Sequence, residues 1–243
     1  LPAGAPLPDQ LPEIAAVGYL FCDGVQCGFP PETTLACHND LTCFPSWANA
    51  EARGVAVIYF VSGTSCARCT GSLINRGPGD FSPLFMTANH CISTQAEADS
   101  VDFNWFFNTD TCNGTPTNGV HNLGSLLLKR HTGSDETLLG LYEPPATDFY
   151  VGTDPNSWTS GDTATGIHHP RGSFKKISFG VSLVSTDGAL FCDPGGTISC
   201  TCNGGPSMCI SADVWNVVFT SGTTEPGSSG SPILDGNRRM RGT

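Results

Sequence analysis

Leu84-Phe85-Met86-Thr87-Ala88-Asn89-His90-Cys91 reads as a short apolar strand that runs out on a histidine, with a cysteine beside it able to pin the turn. Outward from this stretch, short β-branched and aromatic runs alternate with turn residues at 55–61, 70–75, 100–107, 123–129, 137–142, 163–167, 174–185, 214–220 and 231–234. No stretch holds a helical period. Short strands with polar, Gly-rich connections point to an all-β barrel or sandwich and away from an α/β sheet. Glu143-Pro144-Pro145-Ala146-Thr147 breaks the series into two similar sets and reads as an interdomain link. The organisation expected is therefore a Pro- and Cys-rich extension at 1–45, a first β unit at 46–145 and a second at 146–243. Prolines at 2, 6, 8 and 12 give the extension an extended lead-in. Cysteines 22, 27, 37 and 43 among Gly, Pro and Asn suggest that cross-links hold it more than a core does.

Composition narrows the function classes. A formal charge of -11, from 22 acidic against 11 basic residues, would repel phosphate backbones and anionic lipid, so no nucleic-acid partner is expected. Twelve scattered cysteines imply an oxidising, extracytoplasmic setting. Cys66 and Cys69 form one CxxC with no second pair to complete a zinc site, and no βαβ pattern suggests a thioredoxin fold, so neither metal nor redox cofactor is expected. The longest apolar run, Val55 to Val61, is far too short to span a bilayer, and no membrane anchor is expected. The chain starts at Leu1 with no basic-then-apolar leader, so any signal peptide would lie outside it.

A second stretch gives His90 a chemical partner. Glu225-Pro226-Gly227-Ser228-Ser229-Gly230-Ser231-Pro232 is a Gly-flanked serine turn entering the strand Ile233-Leu234. A serine hydroxyl is a weak nucleophile and needs a base such as imidazole to take its proton. The flanking glycines permit a tight turn whose N–H groups converge on one spot, as an oxyanion hole requires. A carboxylate to orient the imidazole is offered by Asp135, directly before the apolar strand Thr137-Leu138-Leu139-Gly140-Leu141. Asp148, ahead of Phe149-Tyr150-Val151, is its rival.

Other signals have plainer readings. Adjacent side chains in His168-His169-Pro170 would point to opposite faces and not share an ion, so the pair reads as structural. His38, His121 and His131 have no motif around them. Cys192, Cys200, Cys202 and Cys209 lack a zinc spacing and read as two local disulfides stapling an insertion loop. Glu97, Asp99, Asp102 and Asp110 lack the ligand alternation of a calcium loop and read as solvated charge.

The order T-A-x-H-C, then Asp before an apolar strand, then G-x-S-G-x-P, resembles the chymotrypsin/trypsin clan, and within it the bacterial lysyl endopeptidase branch. Cys69-Thr70-Gly71-Ser72-Leu73-Ile74-Asn75, Ser134-Asp135, Ile167-His168-His169-Pro170 and the run from Thr224 to Ile233 carry the likeness, over about residues 37–243. The separations of 45 residues from His90 to Asp135 and 94 from Asp135 to Ser229 also suit the clan. The resemblance implies two six-stranded antiparallel β-barrels with the site between them, His90 and Asp135 from the first and Ser229 from the second. It implies a secreted, monomeric serine endopeptidase acting on proteins or peptides without cofactor or metal. His90 would be general base and then acid, Asp135 its orienting carboxylate, and the N–H groups of Gly227 and Ser229 the oxyanion hole. It also pairs Cys69 with Cys91 and Cys43 with Cys112.

In animal members an Asp before the nucleophile receives the freshly cut N-terminus. Ser228 stands there in this chain and in the bacterial branch, so that ion pair is not expected. The family carries further strands after the point reached at Thr243, 14 residues beyond Ser229, so the second barrel is expected to be incomplete and Cys37 without its partner. Lysine or arginine at the cleaved bond is suggested by the resemblance alone. An α/β-hydrolase fails because Ser231 replaces the second Gly of G-x-S-x-G and the serine comes last of the three residues. The other alternative is an inactive member used as a binding or adhesion module.

Overall fold

The structure is a computed structural model that describes residues 34–156, 158–192 and 209–243, with the side chains of 183–192 and 209–214 excepted. The proline-rich lead-in, Cys22, Cys27 and the local bridges expected around 192–209 lie outside what is described.

The described residues build a seven-stranded and a six-stranded antiparallel sheet. A short β1 (Asn39–Asp40) comes first, followed by a single helical turn α1 (Pro45–Ala48). The seven-stranded sheet then takes β2 (Val55–Ser62), β3 (Ser65–Ile74), β4 (Leu84–Ala88), β5 (Asp102–Trp105), β6 (Val120–Leu123), β7 (Ser125–His131) and β8 (Glu136–Leu141) in the order β6-β5-β2-β3-β4-β8-β7. Between β4 and β5 lies the short helix α2 (Gln95–Asp99), held by a reciprocal capping box of Thr94 and Glu97. The six-stranded sheet takes β9 (Thr163–His168), β10 (Lys176–Cys192), β11 (Cys209–Ser221), β12 (Ile233–Leu234) and β13 (Met240–Gly242), with β1 on the far side of β10. Among the described residues no helix is long and apolar enough to cross a membrane.

Six strands were expected in the first unit and seven are present. The apolar run read as one strand at 123–129 is split where the chain turns at Gly124, leaving β6 on one side and β7 on the other. β1, from the segment read as an extension, joins the second sheet instead of standing apart. It pairs there with β10, Asn39 opposite Ile177, while buried Asp40 ties it to the loop between β5 and β6, accepting from Thr42 N–H (3.1 Å), Asn113 N–H (2.8 Å) and the Thr109 hydroxyl (2.8 Å).

The pleat explains why Val55–Val61 is apolar without a break. Ala56, Ile58 and Phe60 enter one core with Leu73, Phe85, Phe103, Trp105 and Leu139. Val55 joins a second core with Ile74, Val151, Ile167, Ile177 and Leu234, so apolar side chains of both sheets share it. A strand buried on both faces reads as a continuous hydrophobic run. Two strand pairings position the site. β4 lies against β8 with Ala88 opposite Glu136, so the residues just after β4 and just before β8 meet at one sheet end. β12 lies against β9 in the second sheet, and the turn before β12 meets the first sheet where Thr70 N–H of β3 donates to Ser229 O (2.8 Å).

Candidate active site

His90 and Asp135 occupy the end of the β4–β8 pair. Asp135 has φ +55°, a left-handed conformation that Asp tolerates better than most residues. Its carbonyl accepts from Asn89 N–H (2.9 Å), its Oδ1 from His90 N–H (2.8 Å) and its Oδ2 from His90 Nδ1 (2.6 Å). A carboxylate only accepts, so the ring proton sits on Nδ1, and a neutral ring then leaves Nε2 as a base. The Cys69–Cys91 disulfide ties the residue after His90 to β3.

Ser229 lies in the turn that precedes β12. Ser228 N–H closes the turn on Glu225 O (3.0 Å) and Ser231 N–H on Ser228 O (3.1 Å). Among the described residues, no bond takes up the N–H of Gly227 or of Ser229. Both glycines have positive φ, +96° at Gly227 and +81° at Gly230. A Cβ on Gly227 would lie 3.0 Å from the amide nitrogens of Arg171 and Gly172, and one on Gly230 would strike the Thr70 carbonyl and the Thr87 hydroxyl. Only glycine suits either place.

Thr70, fully buried in β3, carries the turn on the first sheet. Its N–H donates to Ser229 O (2.8 Å) and its hydroxyl to Gly227 O (2.8 Å), while its own carbonyl accepts from Thr87 (2.7 Å). His90, Asp135, Gly227 and Ser229 all line one cleft of about 730 Å³, with Arg68 and Glu225 further along its wall.

The adjacent histidines turn their rings to different partners. His168 bonds Ser228 Oγ through Nδ1 (2.8 Å) and Ser178 Oγ through Nε2 (3.0 Å). Ser178 spends its proton on Thr223 O (2.9 Å), so it accepts from His168 Nε2–H, and His168 Nδ1 accepts the proton of Ser228. Burial, with smaller contributions from His38 and Lys176, lowers His168 to about 3, which agrees with a neutral ring. His169 points elsewhere, donating from Nδ1 to Ser173 O (2.8 Å) and stacking on Phe107, and burial holds it well below its ordinary value.

The remaining sequence candidates disperse. Asp148 pairs with Arg53 at the surface and is not part of the cleft wall. Glu97 caps α2, Asp99 accepts from Tyr142, Asp102 from His121 and Asp110 from Thr115, so the four acids form no common site. Among the described residues, the close set of metal-type ligand atoms is Cys69, His90 and Cys91, and its two sulfurs are joined in the disulfide. Cys43 is bridged to Cys112, and Cys37 is the free thiol among the described cysteines. Two connections had no local signal in the sequence: His38 to Glu225 and His168 to Ser228.

The class is defined first by fold. The chain is similar to the Rv3671c protease of M. tuberculosis in its active form (TM-score 0.54, 16% identity, 87% of this chain and 80% of that one). It is similar also to the HtrA-type protease AlgW with a tripeptide (TM-score 0.52, 14% identity, 79% and 50%). At these identities the likeness establishes a trypsin-like fold. The family follows from sequence: the model of the lysyl endopeptidase C-terminal domain matches residues 32–243, and the chain belongs to that family. Lysyl endopeptidase of Pseudomonas aeruginosa is 33% identical over 264 residues that include 100% of this chain. The chain spans about half (52%) of that relative's length.

Proposed function

We propose that this chain is the catalytic part of a serine endopeptidase that works outside the cytoplasm on proteins and peptides. The carrying observation is the His90–Asp135 pair, held by two hydrogen bonds to one carboxylate, in the same cleft as Ser229. Nε2 of His90 takes the Ser229 hydroxyl proton as Oγ attacks the scissile carbonyl. The imidazolium that forms is stabilised by Asp135. The N–H groups of Gly227 and Ser229, which the turn leaves without acceptors, receive the developing oxyanion. His90 then gives its proton to the departing amine, and a water activated in the same way clears the acyl group from Ser229. No metal or cofactor enters the scheme. The disulfides favour an oxidising compartment. Lysine at the cleaved bond is supported by the name of the P. aeruginosa relative.

The test is cleavage of a mixed peptide library by the full-length protein and by its Ser229→Ala variant, with products read by mass spectrometry. The wild type is expected to cut after lysine, and the variant to lose cleavage. Equal cleavage by both would dismiss the assignment of Ser229. Absence of cleavage by folded wild type would favour a binding module.

A further inference from the structure

Glu225 lines the cleft four positions before Ser229, yet its side chain is only 5% exposed. Its carboxylate gathers donors from two other parts of the chain. Oε2 accepts from Leu35 N–H (3.1 Å) and His38 Nε2 (2.8 Å), and Oε1 accepts from Arg171 Nε (2.7 Å). Burial alone would raise this carboxyl, but the bonds from Leu35, His38 and Arg171 outweigh it and hold Glu225 below the usual range. The backbone of Glu225 meanwhile shapes the serine turn: its carbonyl accepts Ser228 N–H (3.0 Å) and its N–H reaches Ser228 Oγ (3.3 Å). One residue later, Pro226 O accepts Arg171 N–H (2.6 Å).

The turn itself cannot fix its own shape, because Gly227 and Gly230 bring no side chains and many backbone conformations. Thr70 restrains it from the first sheet, on the Ser229 side. Upstream of Gly227, Glu225 adds a restraint beside the Arg171 N–H bond to Pro226 O. A carboxylate buried this deeply is strongly disfavoured unless its donors are present, so displacing one donor should move the residue and the turn with it.

We infer that Glu225 is a positioning residue, through which the segment before the first sheet, at Leu35 and His38, holds the Ser229 turn with its N–H groups aimed into the cleft. The inference rests on the reading of Ser229 as nucleophile. His38 supports a specific role for that segment: its side chain is 1% exposed, and the contact joins positions 187 apart in the chain. The Ser228–His168 bond acts on the same turn from the second sheet.

The experiment compares the full-length wild type with His38→Ala, His38→Gln and Glu225→Gln. A phosphonate that modifies the active serine titrates the fraction of competent sites, with the modified residue mapped by mass spectrometry. Turnover and KM are then measured per titrated site on a peptide amide that the wild type cleaves. Misplacement of a reacting group by a fraction of an ångström to about 1 Å can cost about 10- to 100-fold, so His38→Ala should lose about tenfold in kcat with KM changed less than about twofold. His38→Gln, whose amide can replace the Nε2 donor, should recover most of the loss, and Glu225→Gln should fall at least as far as His38→Ala. If all variants keep wild-type kcat per titrated site, with losses confined to the titratable fraction or the unfolding temperature, the role is structural only and the inference is overturned. If wild-type label maps away from Ser229, both the nucleophile assignment and this inference fall.

Discussion

Asp135 takes three hydrogen bonds from Asn89 and His90, two of them on its carboxylate, and does so from a left-handed backbone. Removing the charge while keeping the shape should lose the tautomer more than the geometry, so Asp135→Asn is expected to lower kcat by about 10⁴-fold. Asp148→Asn, which alters a surface pair with Arg53, should change kcat by less than about twofold. Steady-state kinetics on one peptide substrate decide between them, and a crippled Asp148→Asn would reverse the choice of carboxylate. As candidates, His90, Asp135 and Ser229 were legible because each sits in a short pattern: after a strand, before a strand, and between glycines. His38 and His168 were not, because their partners lie 187 and 60 positions away with nothing local to mark them. His168 also yields a pH test. An unfolded histidine titrates near 6.5, whereas the folded ring is lowered to about 3, so between those values the unfolded chain binds a proton that the folded chain does not. Stability should therefore fall as pH drops through that window, by up to about 1.4 kcal/mol per pH unit for this group, with His169 acting in the same direction. Urea unfolding at several acidic pH values should show a shallower slope for His168→Gln than for the wild type, and identical slopes would count against a neutral buried His168.

Among the elements, β10 begins immediately after a fully buried lysine that serves several neighbours. Lys175 N–H donates to Phe107 O (2.9 Å), its carbonyl accepts from Leu41 N–H (3.5 Å), and its Nζ donates to Ala52 O (2.6 Å). Burial lowers its ammonium to about 7 from 10.5. Above 7 the folded form has released a proton that the unfolded form keeps until about 10.5, so this residue should make stability rise with pH across that window. Lys175→Met is expected to remove this contribution, so that stability measured by urea unfolding rises less, or falls more steeply, between about pH 7 and 10 than in the wild type, and an identical slope would contradict the assignment. The doubled consonance of apolar runs and strands made most of the sheets readable, since a pleated strand with one or two buried faces leaves a plain mark in sequence. The β6–β7 break and the enlistment of β1 were not readable, because a turn at Gly124 and a two-residue strand leave almost none.

At the scale of the molecule, the candidate site draws its residues from both sheets. The first supplies His90 and Asp135, and the Ser229 turn arrives from the second, fastened to the first by Thr70. Disulfides reinforce this arrangement unequally. Cys43–Cys112 spans 69 positions and Cys69–Cys91 spans 22, so by chain entropy the first should contribute about 4 kcal/mol and the second about 3. Denaturant unfolding of the paired Cys→Ser variants tests the order. Loss of the Cys69–Cys91 bridge should also lower kcat, since it borders His90, whereas loss of the other should act mainly on stability. The central claim, that His90, Asp135 and Ser229 act as one unit, is tested most directly by covalent labelling of the folded full-length protein with a fluorophosphonate, followed by peptide mapping. The expected result is a single label on Ser229, formed rapidly by the wild type and slowed by orders of magnitude in His90→Ala; a label on another residue, or equal labelling rates in the two proteins, would contradict it.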